Sequence, residues 1–323
     1  MIARRHVLQS MGALSLLPAL AAGPASAALA DTPLYDTHVH LFTPDMQRYP
    51  IDLSGGVPEV AKVLKGEIIA DPHTPDIVLR AWADNGVSGG VAVQFYSAYK
   101  NDNGFLLDSA DAHRDKIAAC VIFDATDPST PAALKVAART HGVTGLRLTG
   151  YPDAKGNYPW LDSEPAQATW AAADQLGLAV VVMYPPGKPT ASAFAHLNAL
   201  ARRYPHAKLI LDHFGWPVFV GAPSYGLSDA FEPLKGLPNV YYKFTTTNID
   251  ALTKAQVAPE DFLRHAVDVV GADRIMWGSS FGAAAPPYSE LVRRIRSAAI
   301  KLTPTERRAV LHDTGQAMFG RKA

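Results

Sequence analysis

Two histidines, His38 and His40, lie two positions apart at the end of an apolar stretch near the start of the chain. Residues two apart in a β-strand point to the same face, so both imidazoles can act on one ligand. Paired imidazoles can bind a metal ion, polarise a carbonyl group or move protons. Ordinary packing is the alternative explanation, and we interpret the pair as part of an active site.

Two charged residues stand inside other apolar stretches, where a charge needs a partner or an anionic ligand. Arg147 lies in Gly145–Leu148, and its guanidinium suits a carboxylate bound through two parallel hydrogen bonds. Lys243 lies in Val240–Thr245. Each residue therefore has two interpretations, as a group that binds a substrate carboxylate or as one half of an internal ion pair.

Further polar residues end other apolar stretches. Gln94 and Tyr96 are again two apart, Tyr184 and His213 each end a stretch, and Ser280 follows the last one. Together with the residues above they form the candidate site, in which His38, His40, His213 and Ser280 are assigned to catalysis. The residues assigned to substrate binding are Gln94, Tyr96, Arg147, Tyr184 and Lys243.

Eight short apolar stretches must position these residues, and longer amphipathic stretches separate them. The predicted strands are 34–42, 88–96, 117–124, 143–150, 178–184, 208–215, 240–245 and 274–280. Helices are predicted over 165–177 and 289–302, and from Thr303 onward, where threonine and proline suit a first turn.

Alternation of strands with helices indicates parallel pairing, and eight units of this length predict an α/β fold, a single-domain (β/α)8 TIM barrel. An open doubly wound sheet is the alternative, but it usually carries a glycine-rich turn after its first strand. In such barrels chemistry is built at the carboxyl ends of the strands, where the candidate residues stand.

The composition is that of a globular protein. The 323 residues are 48% hydrophobic and 19% charged, which excludes a disordered chain. Thirty basic residues balance thirty acidic ones, so no nucleic-acid partner is expected. Cys120 is the single cysteine and cannot form an internal disulfide, so we predict a small buried core residue.

The first thirty residues have the pattern of an export signal. Arg4 and Arg5 precede an apolar stretch, 11–22, and small residues follow at 25–30. This order predicts a signal peptide over 1–30, with the arginine pair indicating the twin-arginine route and the periplasm. A frayed amphipathic helix is the alternative. The barrel domain is then 31–323, with no membrane segment after signal removal.

At this point the chain resembles the amidohydrolase superfamily, in particular the amidohydrolase-related branch that contains pyrone-dicarboxylate lactonases and aromatic-acid decarboxylases. The resemblance covers nearly all of Leu34–Phe319. The matching stretches are Asp36-Thr37-His38-Val39-His40, Gln94 with Asp102-Asn103, Gly145-Leu146-Arg147, Leu211-Asp212-His213-Phe214-Gly215, and Arg274-Ile275-Met276-Trp277-Gly278-Ser279.

The resemblance implies a barrel with a site built from His38, His40 and His213. It is closest to the lactonase type, because Tyr184 stands where metal-binding members usually place histidine. In that type arginines and a tyrosine bind substrate carboxylates without a metal, so no metal and no cofactor are expected. One departure matters: Ser280 stands where the family has the aspartate that activates water.

The leading hypothesis is an exported hydrolase of a small lactone or ester that carries a carboxylate. Arg147, with Tyr184 or Lys243, would orient the acid, while His38 and His40 polarise the carbonyl and His213 assists. A histidine, or a water held by Ser280, would replace the missing carboxylate. The alternatives are a lyase (decarboxylase) or isomerase on the same barrel, and a barrel that binds an organic acid without converting it.

Overall fold

A computed structural model describes residues 31–54, 66, 68–184, 190–227 and 231–320, so the predicted signal peptide lies outside the described residues. Eight parallel strands form one sheet in the order β1 to β8. They are β1 Leu34–Val39, β2 Val87–Val93, β3 Ile117–Ile122, β4 Gly145–Thr149, β5 Ala179–Met183, β6 Lys208–Leu211, β7 Val240–Thr245 and β8 Ile275–Gly278. The predicted barrel is confirmed.

The ring is completed where β1 meets the residues after β8. Val39 pairs in parallel with Phe281, His40 N donates to Phe281 O at 2.8 Å, and Ser280 N donates to His38 O at 2.7 Å. The candidate residues His38 and His40, at the end of the first strand, are therefore neighbours of Ser280, which follows the last strand. The contact that brings them together is the same one that completes the barrel.

Helices surround the sheet and follow the strands along the chain. The α-helices are Pro75–Asp84, Tyr96–Tyr99, Gly104–Ala112, Thr130–His141, Pro159–Asp162, Glu164–Leu176, Thr190–Arg203, Glu232–Lys235, Thr246–Lys254, Pro259–Val270, Tyr288–Ala298, Pro304–Arg308 and Thr314–Phe319. Short 3-10 turns span Asp212–Gly215 and Ala272–Arg274, and a π-turn spans Ala309–Asp313.

The predicted helix boundaries hold where capping chemistry fixes them. Gly177 ends its helix in the left-handed region at φ 63°, the conformation that glycine adopts most easily. Thr303 and Glu306 form a reciprocal capping box at the start of Pro304–Arg308. The helix predicted over 289–302 ends earlier, at Ala298, and a turn precedes the capping box.

The barrel interior is filled by side chains from alternate strand positions. One buried cluster contains Val181, Ile210 and Met276 together with Cys120, which is fully buried as predicted. Phe319, from the last helix, belongs to the same cluster and lies against the amino-terminal half of the barrel. A larger apolar cluster packs the outer faces of the strands against the helices.

Most strands end before the predicted boundaries. β1 ends at Val39, β2 at Val93, β6 at Leu211 and β8 at Gly278. The apolar pattern continues past these residues, but the backbone turns over the barrel mouth there and the polar side chains leave the sheet. Among the described residues, no helix is both long and apolar enough to cross a membrane.

Candidate active site

The predicted catalytic side chains lie in one cavity at the carboxyl ends of the strands. Its volume is about 390 Å³, and its lining includes His38, His40, Tyr96, Arg147, His213 and Ser280. A larger hollow of about 730 Å³ lies at the opposite end, lined by residues such as Ser88 and Lys116. We assign the site to the smaller cavity, because barrels of this kind carry their chemistry at the carboxyl ends.

His38 and His40 face one another. Their Nε2 atoms are 3.1 Å apart, and His40 Nδ1 lies 2.8 Å from Val93 O. A carbonyl oxygen only accepts, so His40 carries its hydrogen on Nδ1 and presents a lone pair at Nε2. A neutral His38 has a single ring hydrogen, so it can donate through Nε2 to His40 or through Nδ1 to Asp212 Oδ1, 3.2 Å away, but not through both.

His213 follows β6 in a left-handed turn. The φ angles of His213, Phe214 and Trp216 are 49°, 57° and 55°, and Gly215 lies between them at 70°. Left-handed backbone costs a non-glycine residue about 1–2 kcal/mol, so other contacts must hold the turn. Tyr184 Oη donates to Gly215 O at 2.6 Å. The Phe214 ring also stacks on a neighbouring ring, at a centroid separation of 4.8 Å.

Asn248 and Thr245 fix the tautomer of His213. Asn248 Nδ2 donates to His213 O at 2.8 Å, and Asn248 Oδ1 accepts from Thr245 N at 2.9 Å and from Thr245 Oγ1 at 3.1 Å. The threonine hydroxyl has then used its hydrogen, so its oxygen accepts from His213 Nδ1 at 2.8 Å. His213 consequently presents a lone pair at Nε2, the state that a general base requires.

Asp212, which the sequence analysis did not single out, contacts three of the candidate residues. Its carboxylate is fully buried, and its oxygens lie 3.2 Å from His38 Nδ1, 2.8 Å from Arg147 Nη2 and 4.0 Å from His213 Nε2. Asp212, like Arg147, is a charged residue in an apolar stretch, and this pattern in the sequence could have indicated it. Arg147 thus has the internal partner that was its alternative interpretation, while Nε keeps no hydrogen-bond partner among the described residues.

Burial and charge together set the ionisation of this cluster. Burial lowers the pKa of His213 to about 4 and that of His38 to about 3, although Asp212 opposes both shifts. Burial raises the pKa of Asp212, but the histidines and Arg147 outweigh it and hold that pKa well below the usual value. The resting cluster is therefore an aspartate with neutral imidazoles, and a proton gained by either histidine is stabilised by Asp212.

Three predicted substrate-binding residues are used inside the protein. Gln94 donates through Nε2 to Asp102 O and accepts from Phe95 N, which holds the loop after β2. The Tyr184 hydroxyl donates to Gly215 O and so stabilises the turn that contains His213. Lys243 is fully buried, with Nζ over the Phe319 ring at 5.2 Å, and burial lowers its pKa. None of the three is among the described residues that line the cavity.

Tyr96 and Ser280 do line the cavity, although neither stands in a strand. Tyr96 begins the helix Tyr96–Tyr99 and is 46% exposed, so it lies at the rim. The argument that it shares a strand face with Gln94 therefore does not apply. Ser280 lies two residues past the end of β8, is buried, and has no hydrogen-bond partner for its Oγ among the described residues.

The residues present can also accommodate a divalent cation. His38, Asp212 and His213 each offer one ligand atom, and these atoms all lie within 4.8 Å of one another. The 3.1 Å between the Nε2 atoms of His38 and His40 also suits two ligands of one ion, provided that His38 carries its hydrogen on Nδ1, toward Asp212. The expectation of a metal-free site therefore stays a prediction.

An eight-stranded parallel barrel with a histidine pair at the end of β1, a histidine after β6 and the candidate cavity at the strand ends is typical of an amidohydrolase. The sequence profile of the family described as Amidohydrolase (Amidohydro_2) matches residues 35–321. The chain belongs to this family, as the resemblance predicted.

Known relatives include lactone hydrolases. The chain is 29% identical to the L-fucono-1,5-lactonase of Burkholderia ambifaria over 225 residues, which are 65% of this chain and 73% of that protein.

Two solved structures share the fold at lower identity. One is a probable 2-pyrone-4,6-dicarboxylic acid hydrolase of Acinetobacter baumannii with citric acid bound, at 17% identity and a TM-score of 0.62, covering 89% of this chain and 99% of that one. The other is an amidohydrolase of Burkholderia multivorans with bound zinc, at 20% identity and a TM-score of 0.63, covering 90% of this chain and 100% of that one.

Proposed function

We propose that this protein hydrolyses a small lactone. The observation that carries the proposal is the fixed tautomer of His213, whose Nε2 lone pair lies in the cavity wall while Asp212 stands 4.0 Å away to stabilise the proton that it gains. The fucono-lactonase relative supports a lactone as the substrate class. The cavity volume, about 390 Å³, suits a small cyclic molecule.

Hydrolysis needs a base that removes the proton of the attacking hydroxyl group. It also needs a positively charged group that stabilises the negative charge developing on the carbonyl oxygen. We assign the base to His213, in place of the carboxylate that the family has at Ser280. Arg147, whose Nε has no hydrogen-bond partner among the described residues, is the donor that can stabilise the developing oxyanion. His40 lies against His38, with the two Nε2 atoms 3.1 Å apart, and so holds that ring in place.

We further propose that the reaction proceeds without a tightly bound catalytic metal. A divalent cation at His38 and His40 would polarise the lactone carbonyl if one were bound. Two observations support the metal-free proposal. Asp212 already faces the guanidinium of Arg147 at 2.8 Å, and Ser280 offers a neutral hydroxyl where a charged ligand would stand.

We also propose that the substrate or product is a small organic acid, with Arg147 binding its carboxylate or the lactone carbonyl. Arg147 lines the cavity, and its buried Nε has no hydrogen-bond partner in the part of the chain that the structure describes. The citric acid bound to the Acinetobacter hydrolase supports an organic acid as the ligand class. The residues at 1–30 support export to the periplasm.

A panel of lactones, esters and aromatic acids tests the function. It includes L-fucono-1,5-lactone and 2-pyrone-4,6-dicarboxylate, with ring opening followed by acid release and decarboxylation by carbon dioxide. The test variant is His213→Asn, because asparagine accepts left-handed backbone and can still donate to Thr245 while lacking Nε2. The matched control is His206→Asn on the exposed surface.

We expect at least one lactone to be opened, with kcat lowered about 10²–10⁴-fold in His213→Asn and unchanged in His206→Asn. Carbon dioxide release without ring opening would replace the proposal with the lyase alternative. Binding of acids without turnover of any compound would identify a binding protein instead.

A further inference from the structure

Ser280 is held in an unusual backbone conformation at the centre of the sequence Gly278-Ser279-Ser280-Phe281-Gly282. Its φ is 59°, in the left-handed region that serine rarely adopts. Its N donates to His38 O at 2.7 Å, and its O accepts from Ala284 N at 2.9 Å. Such strain persists only where the surroundings determine it, and it concentrates at functional sites.

The two glycines of this sequence are required by close packing. A Cβ at Gly278 would lie 2.5 Å from His38 Cβ, and one at Gly282 would lie 2.3 Å from His40 O. Gly-x-Ser-x-Gly after a buried strand, with a strained serine between two tightly packed glycines, is the arrangement that exposes a nucleophilic serine in other hydrolases. Here it follows β8, and the next helix starts only at Tyr288.

The hydroxyl of Ser280 is buried in the cavity wall with no hydrogen-bond partner among the described residues. Its neighbours are satisfied: Ser279 Oγ donates to His38 O and accepts from Phe281 N, and Thr37 Oγ1 donates to Trp277 O. Buried hydroxyls are almost always hydrogen-bonded. Among the described residues, Ser280 and Thr246 both line the cavity with a buried hydroxyl that has no partner, and of these two only Ser280 stands in the left-handed region.

We propose that Ser280 Oγ is the nucleophile of the lactone hydrolysis and forms a covalent acyl-enzyme. This inference rests on the proposed function and deepens it. A neutral serine cannot itself be a base, but it becomes a nucleophile when a neutral imidazole in the same cavity takes its proton. The family's aspartate activates water for direct attack, and this chain lacks it. The proposed route replaces that single attack with two steps, acylation of Ser280 and hydrolysis of the acyl-enzyme.

The steps balance without any further reagent. Ser280 Oγ bonds to the lactone carbonyl carbon as its proton passes to His213 Nε2, and Arg147 stabilises the oxyanion. The ring C–O bond then breaks, and His213 returns the proton to the leaving ring oxygen, which gives a hydroxy-acyl ester of Ser280. Water, deprotonated by His213, attacks the ester carbonyl. The C–Oγ bond then breaks as His213 returns the proton to Ser280 Oγ, which releases the hydroxy acid and the free serine.

The test measures acylation directly with a β-lactone, which acylates a serine hydroxyl and adds its whole mass to the protein. The full chain is mixed with the β-lactone, quenched in acid, weighed intact and then mapped by peptide mass spectrometry. Variants are Ser280→Gly, which removes the hydroxyl and suits φ 59°, and His213→Asn. The matched control is Gln256→Gly, an exposed residue at φ 57°.

We expect one adduct per chain on Ser280 in the wild type and in Gln256→Gly. Ser280→Gly should give none, His213→Asn should acylate far more slowly, and lactone turnover by Ser280→Gly should fall about 10³-fold or more. Ser280→Cys should form the corresponding thioester.

Absence of an adduct at Ser280, or a Ser280→Gly variant that opens lactones at the wild-type rate, overturns the proposal. The second result leaves lactone hydrolysis itself intact, with water as the attacking group. Conversely, acylation of Ser280 when no lactone of the panel is turned over supports the nucleophile and contradicts the proposed substrate class.

Discussion

Replacement of Arg147 by methionine tests the charge arrangement beneath the site. Arg147 Nη2 and Asp212 Oδ2 are 2.8 Å apart and both side chains are buried. At an effective dielectric constant of about 20, this separation corresponds to an attraction of about 6 kcal/mol, much of which offsets desolvation. Arg147→Met leaves the Asp212 carboxylate without its closest cation, so we expect the free energy of unfolding to fall by about 3–5 kcal/mol.

Urea titrations give that free energy for the wild type, both single variants and the double variant Arg147→Met/Asp212→Asn. The double variant should lose much less than the sum of the single losses, because neither unpaired charge remains. The surface pair Arg293 and Glu290, which is 2.6 Å apart but exposed, supplies the control: Arg293→Met should cost less than about 1 kcal/mol. A loss below 1 kcal/mol for Arg147→Met, or strictly additive losses, would refute the reasoning.

Three further outcomes follow from the same residues. The pKa of His213 is lowered to about 4 and that of His38 to about 3, so the unfolded chain binds more protons than the native one between about pH 4 and 6.5. Urea stability should therefore fall as pH drops through this window, by up to about 1.4 kcal/mol per pH unit for each histidine, and less steeply in His213→Asn. Elemental analysis of protein purified without chelators should find far less than one divalent metal ion per chain, and dialysis against a chelator should leave kcat unchanged; one ion per chain would contradict the metal-free proposal. Protein recovered from the periplasm should begin near Ala28 or Asp31 by N-terminal sequencing, whereas an intact Met1 on mature protein would refute export.

The barrel and many of the residues that line the cavity could be predicted from the sequence. Apolar stretches at regular intervals predict all eight strands, because a buried parallel strand needs a near-continuous apolar run. His38 and His40 could be paired because the two-residue period is a local property of a strand. The strand ends were overestimated, because periodicity does not reveal where β6 gives way to a left-handed turn.

Contacts between distant segments account for what the sequence did not reveal. Arg147 and Asp212 are separated by two strands in the chain, and nothing local to Arg147 indicates that its partner follows β6. Likewise, the tautomer of His213 depends on Asn248, in a helix after β7. The position of Tyr184 after β5 places it near the site, but its hydroxyl donates to Gly215 O, a contact with a segment 31 residues further along the chain.

The dependence of kcat/KM on pH, measured with the best lactone of the panel, tests the central claim that a buried neutral histidine is the base. Because burial lowers the pKa of His213 to about 4, activity should be level from pH 8 to about 5 and fall only as the pH approaches 4. The spontaneous opening of the lactone is subtracted at each pH. A fall centred near pH 7 would contradict the account, because it would indicate an unperturbed histidine or a metal-bound water.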